Sequence, residues 1–219
     1  MMHHVQAFLK AIKENNNREW YLANKDWYNN AKTEFEQVTM NLISELGKID
    51  KDIAFLEVSQ CTYRIYRDIR FSADKTPYKT HMGAYMVKGG KNSGLAGYYF
   101  HVEPGGNMLA GGVYMPMPPV LKKLRKEIYD NIDEFLEIVE NKNFKKAFPS
   151  LDNDMKLQKA PLGFPKDFEH IDYLKYKSYT VSSSFDDKLL ASPKMIEKII
   201  EQFAIMAPFI RFINTALTE

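Results

Sequence analysis

Between Arg64 and His81 the chain gathers Arg64, Arg67, Arg70, Lys75 and Lys79 against only Asp68 and Asp74. That segment carries a net +3 in a chain whose formal charge is +2, so the positive excess sits in one place. Arginine stays charged near neutral pH, and its planar fork matches the two oxygens of a carboxylate or phosphate. In an extended chain Arg64 and Arg70 share a face with Asp68 and Arg67 points the other way; in a tight turn all three converge. Asp68 is placed to orient at least one guanidinium, Lys75 and Lys79 add point charges, and Tyr78 adds a hydroxyl. The spacing predicts a clamp for a small phosphate- or carboxylate-bearing ligand, built from Arg64, Arg67, Asp68, Arg70, Lys75, Tyr78 and Lys79. The competing reading is an architectural one, in which the same residues form an internal salt-bridge brace.

Histidines close to this stretch could move protons for a bound anion. His81 and His101 are the catalytic candidates as general acid or base. His101 and Glu103 fall two residues apart in strand-like sequence, on one face with Tyr99. His-x-Glu resembles half of a two-histidine, one-carboxylate metal site, which would need His170 or His81 to complete it. Because His170 lies in a polar connection, the reading adopted is a wall or acid/base histidine, with no metal and no cofactor expected. The run Lys88-Gly-Gly-Lys-Asn-Ser-Gly94 lacks phosphate-loop spacing and reads as a hairpin tip. Ser182-Ser183-Ser184 lacks the glycines of a nucleophile elbow. Cys61 alternates with Tyr63 and Ile65 and reads as a core residue.

These candidates need elements to hold them. Val5, Phe8, Leu9 and Ile12 form a short helical stripe. Asn16 followed by Glu19 resembles a capping box, opening a long helix to about Leu46. Strand texture follows over Cys61–Tyr66, His81–Lys88, Ala96–Glu103, Met108–Tyr114 and within Tyr173–Phe185. Gly111-Gly112 inside a strand predicts a bulge or a close backbone approach. Helical sequence resumes after Pro118-Pro119, with a break near Asp130-Asn131, and a last helix starts after Ser192-Pro193. The expected fold is therefore α+β: an antiparallel meander of about five strands flanked by N-terminal and C-terminal helices, as one domain over residues 1–219.

Composition narrows the function classes. The chain has 219 residues, 45% hydrophobic, 26% charged and 13% aromatic, enough for a substantial core. Near-neutral charge argues against a nucleic-acid partner, although Tyr63, Tyr66, Phe71, Tyr78 and Tyr99 could stack bases beside the cations. The longest apolar run, Phe203–Ile210, is too short to span a bilayer, and no basic-then-apolar leader opens the chain. One cysteine suits a reducing compartment, so a cytoplasmic location without a membrane partner is expected. Nothing in the sequence indicates an oligomeric state or a reaction.

The run Arg64-x-x-Arg67-Asp68-x-Arg70-Phe71-x-x-x-Lys75-x-Pro77-Tyr78 matches without departure the RxxRDxRFxxxKxPY signature of a mostly bacterial family, domain of unknown function 2461. Asn15-Asn16 before Glu19-Trp20, Tyr99–Gly106, Gly111-Gly112 and Leu121–Ile128 also resemble it. The resemblance covers nearly the whole chain. It implies a small, single-domain, cytosolic protein and supplies no activity, so the site assignment rests on the chemistry of the residues.

Overall fold

Apolar residues at every second position of four short segments decide the architecture. A computed structural model describes residues 2–153 and 155–218. It opens with α1 (His3–Glu14), α2 (Arg18–Ala23), α3 (Lys25–Leu46) and the single turn α4 (Val58–Cys61). Strands β1 (Met82–Met86), β2 (Gly97–Val102) and β3 (Met108–Val113) follow. Next come α5 (Pro118–Asp130), α6 (Ile132–Val139), α7 (Lys142–Ala147) and α8 (Ile171–Leu174). Strand β4 (Tyr179–Ser184), α9 (Asp187–Ala191) and α10 (Met195–Thr218) complete the chain. The four strands lie in the order β1-β2-β3-β4, every neighbour antiparallel.

The strand side chains divide by face. Met82, Ala84, Met86, Tyr98, Phe100, Val102, Leu109, Val113, Tyr179 and Val181 are all buried. They belong to a core packed against α3 and α10, where Phe35 stacks on Phe100 at 5.9 Å and Phe203 meets Tyr98 edge-on at 5.4 Å. Each such aliphatic or aromatic side chain contributes roughly 1.5–3 kcal/mol on burial, far more than a surface ion pair. The alternate residues, including Tyr85, Tyr99, Ala110 and Ser182, stand at one level across the four strands on the opposite face.

Two sequence expectations change. About five strands were expected and four form, because Cys61–Tyr66 is not a strand. Its first residue ends α4, and the rest makes only isolated bridges, Thr62 to Ala84 and Tyr66 to Tyr78. The alternation also fails at Tyr63, which is exposed between buried Cys61 and Ile65 on the expected common face, and one bridge at each end does not make a ladder. The long first helix is also interrupted. Asn24 sends its side-chain amide to Trp20 O at 2.9 Å, competing with the backbone ladder and separating α2 from α3. The cap of α2 is Asn17, whose Oδ1 accepts from Trp20 N at 2.9 Å.

Asn16, the residue expected as that cap, has a longer-range task. Its amide donates to Tyr78 O at 2.8 Å while its Oδ1 accepts from Tyr78 N at 3.0 Å. This two-sided bond ties the turn after α1 to the end of the arginine-rich segment. Asn214 of α10 grips Ala96 in the same way, at 2.8 and 2.9 Å, and anchors the entry to β2.

The paired glycines in β3 mark close approach. A Cβ on Gly111 would lie 2.0 Å from Met206 Sδ, the far end of a flexible side chain on α10. At Gly112 it would lie 2.0 Å from the Tyr179 carbonyl of β4, on a residue with φ of +118°. Gly112→Ala should therefore cost more than Gly111→Ala, about 2–4 kcal/mol in urea unfolding, because backbone cannot swing aside as a thioether can. Equal costs would show that the β3–β4 contact is looser than described.

Candidate functional site

The sheet face turned away from α3 and α10 carries a cleft of about 800 Å³. Its floor comes from β2, β3 and β4 through Tyr99, Ala110, Gly112, Thr180 and Ser182. Tyr63 and Lys91 border it on the β1 side and Ser150–Asn153 on the β4 side. Two of the tyrosine hydroxyls are occupied: Tyr85 Oη lies 2.8 Å from both Leu95 O and Gly112 O, and Tyr99 Oη lies 3.0 Å from His101 Nδ1. Asp152 accepts from Ser182 Oγ at 2.7 Å, and Lys91 donates to Ser59 O at 2.7 Å. The lining is thus mainly apolar and aromatic with a few placed polar groups, the usual makeup of a small-molecule site. Sequence reasoning missed Tyr85, Lys91, Asp152 and Ser182; the one available signal was the same-face alternation that puts Tyr85 level with Tyr99.

Beside the cleft, Tyr99 leads into a chain of polar groups. Strand geometry puts Tyr99, His101 and Glu103 on one face, as their spacing predicts. Gly83, paired with His101 across β1, leaves room for the Tyr99 ring, since a Cβ there would stand 2.4 Å from its hydroxyl. His101 Nε2 faces Glu103 Oε2 at 3.4 Å, and Glu103 Oε1 accepts from Thr80 Oγ1 at 2.9 Å. His81 stacks on His101 with ring centres 4.6 Å apart. The structure therefore brings together His81, His101 and Glu103, and His170 is not in the group. With an ionised Glu103 as acceptor, Nε2 of His101 carries the proton and Nδ1 accepts from Tyr99. That order links Tyr99, His101 and Glu103 in a hydrogen-bonded chain that ends at the cleft wall.

Electrostatics keep both imidazoles neutral at pH 7. Burial pulls His81 down to about 4, helped by neighbouring His101 and Lys79 and opposed by Glu103. Burial also lowers His101, against the pull of Glu103. Glu103 is pushed up by burial, but bonds from Thr80 and His101 outweigh this and leave it below its ordinary value. Burial raises the Tyr99 phenol to about 12. Cys61 takes no part: it is buried, and desolvation lifts its thiol to about 11.

The arginine-rich segment forms a loop outside the cleft, and its residues have separate surroundings. Arg67 Nη1 bonds Asp74 Oδ2, Thr76 Oγ1 and, at 3.1 Å, Thr76 O, so this guanidinium holds the loop closed. Its backbone N donates to Pro77 O at 2.9 Å. Asp74 falls to about 2 through the Thr76 backbone bond and then Arg67. Arg70 and Asp68 make a two-pronged exposed pair, at 2.9 and 2.6 Å. Lys75 Nζ donates to Ile69 O at 3.0 Å. Tyr78 is buried and stacks on Tyr21 at 4.2 Å. Lys79 Nζ donates to Arg64 O at 2.9 Å and sits 5.4 Å from the centre of the Tyr63 ring, and Tyr63 borders the cleft. Arg64 is exposed, and its guanidinium has no protein partner among the described residues.

A family model described as a conserved hypothetical protein, DUF2461, matches residues 4–212, from α1 into α10. The chain belongs to the DUF2461 family. The DUF2461 description names no activity, and no curated protein or solved structure matches this chain significantly. Among its described residues, no helix is long and apolar enough to cross a membrane.

The depressed His81 value makes a pH prediction for this DUF2461 chain. Its folded value of about 4 lies below the ordinary 6.5, so the unfolded state takes up the proton first. His81 then contributes its full share of stability above about pH 6.5 and loses it as pH falls toward about 4. With chelator present, the urea midpoint should drop between about pH 7 and 4.5, and drop less in His81→Gln. Equal drops would place His81 in water.

Proposed function

We propose that the protein binds a small anionic molecule with a planar or aromatic body in the tyrosine-bordered cleft. One observation carries the reading. A cavity of about 800 Å³ on the open sheet face is bordered by Tyr63, Tyr85, Tyr99 and Tyr114, with Lys91 in its wall and Lys79 over the outer ring. Aromatic faces favour a flat partner, and two lysines against Asp152 favour a negative one. Within the arginine-rich motif the work divides. Lys79 and Arg64 meet the charge at the rim; Arg67, Lys75 and Tyr78 shape and anchor the loop that presents them. Asp68 and Arg70 form an outer pair that contributes little to the cleft, since exposed pairs are screened. His101, acting through Tyr99, is the acid/base available to a bound molecule.

The aromatic anion 8-anilinonaphthalene-1-sulfonate is a direct probe. Its fluorescence should rise with wild-type protein, and Tyr63→Ala and Lys91→Ala should each raise Kd about tenfold, or roughly 1.4 kcal/mol. Arg70→Ala should leave Kd unchanged. Loss of binding in Arg70→Ala with none in the other two would move the site to the loop and overturn this reading.

A further inference from the structure

The geometry points to a divalent transition-metal site formed by His81, His101 and Glu103, behind Tyr99 of the cleft floor. This goes beyond the binding reading and does not depend on it. His81, His101 and Glu103 each offer a ligand atom, all within 4.8 Å of one another. His101 Nε2 and Glu103 Oε2 are 3.4 Å apart, longer than a normal charge-assisted hydrogen bond of about 2.8 Å. Donors bonded at about 2.1 Å to a tetrahedral ion stand about 3.4 Å from each other. The pair's spacing therefore also matches two donors that share one ion.

The outward-facing atoms of His101 and Glu103 are already held, as metal ligands require. Tyr99 Oη meets His101 Nδ1 at 3.0 Å, and Thr80 Oγ1 donates to Glu103 Oε1 at 2.9 Å. Asn107 steadies the turn by accepting from Glu103 N at 3.1 Å and donating to Asp187 at 2.5 Å. An ion on Nε2 shifts the His101 proton to Nδ1, which then donates to the Tyr99 oxygen. Two imidazoles and one carboxylate, with no thiolate, suit Zn²⁺ or Fe²⁺ over Ca²⁺ or Mg²⁺, and three protein ligands leave at least one coordination position open. The sequence offered either His170 or His81 to complete the His-x-Glu pair, and the fold selects His81. Antiparallel pairing of Met82 with Val102 brings them together.

Cobalt(II) is the probe, since its visible absorption reports coordination directly. Metal-free wild-type protein should bind one equivalent of Co²⁺, and Zn²⁺ should displace it. His81→Ala and Glu103→Gln should weaken binding by about 100-fold or more, since even an outer partner accounts for roughly 10–100-fold. Tyr99→Phe should weaken it by about tenfold, with circular dichroism unchanged in all three. Replacing His3 and His4, which are exposed on α1, should change nothing. Failure of wild-type protein to bind either Co²⁺ or Zn²⁺ would overturn the proposal. So would wild-type affinity in His81→Ala and Glu103→Gln, or loss of binding on replacing His3 and His4.

Discussion

Single-sided burial of a four-stranded sheet is the constraint from which the rest follows. Apolar side chains on alternate positions of β1 to β4 turn toward α3 and α10, and this burial supplies the stabilisation. The same alternation turns tyrosines, serine, histidine and glycine to the other side, where the cleft forms. Glycines at 111 and 112 let α10 and β4 come close enough for the arrangement to close. A sheet buried on both faces would have no room for Tyr99, His101 and Glu103 to meet.

The arginine-rich motif is best understood as a loop with divided labour. Arg67 spends its donors on Asp74 and Thr76, so it braces. Asn16 and Tyr21 fix the far end through the Tyr78 backbone and ring. Lys79, by contrast, lies over the Tyr63 ring at the border of the cleft, and Arg64 is exposed with no protein partner among the described residues. Bracing therefore describes Arg67 and does not extend to the exposed Arg64.

Much of the fold was legible in the sequence. Helical periodicity marked α1, α5, α6 and α10, and alternation marked β1 to β4, because both patterns arise from local geometry. The extra strand at Cys61–Tyr66 was misread because buried Cys61 and Ile65 on either side of an exposed Tyr63 imitate alternation, while a strand also needs a partner along its length. The Asn16–Tyr78 and Asn214–Ala96 bonds join residues 62 and 118 positions apart, and no local pattern announces them. The site was legible in parts. His101 and Glu103 share a face by strand spacing alone, but the cleft needs Tyr63, Lys91 and Asp152 from three separate loops. Cationic density drew attention to the motif, whereas the cavity follows from the sheet.

The central claim is that the open sheet face, and not the arginine loop, is the working surface. Amide shift mapping by ¹H–¹⁵N NMR during titration with an aromatic anion tests it most directly. The account expects the largest shifts at Tyr63, Leu95, Gly112 and Ser182, around the cleft. Shifts confined to Ile69–Thr76, with the cleft amides unmoved, would contradict it.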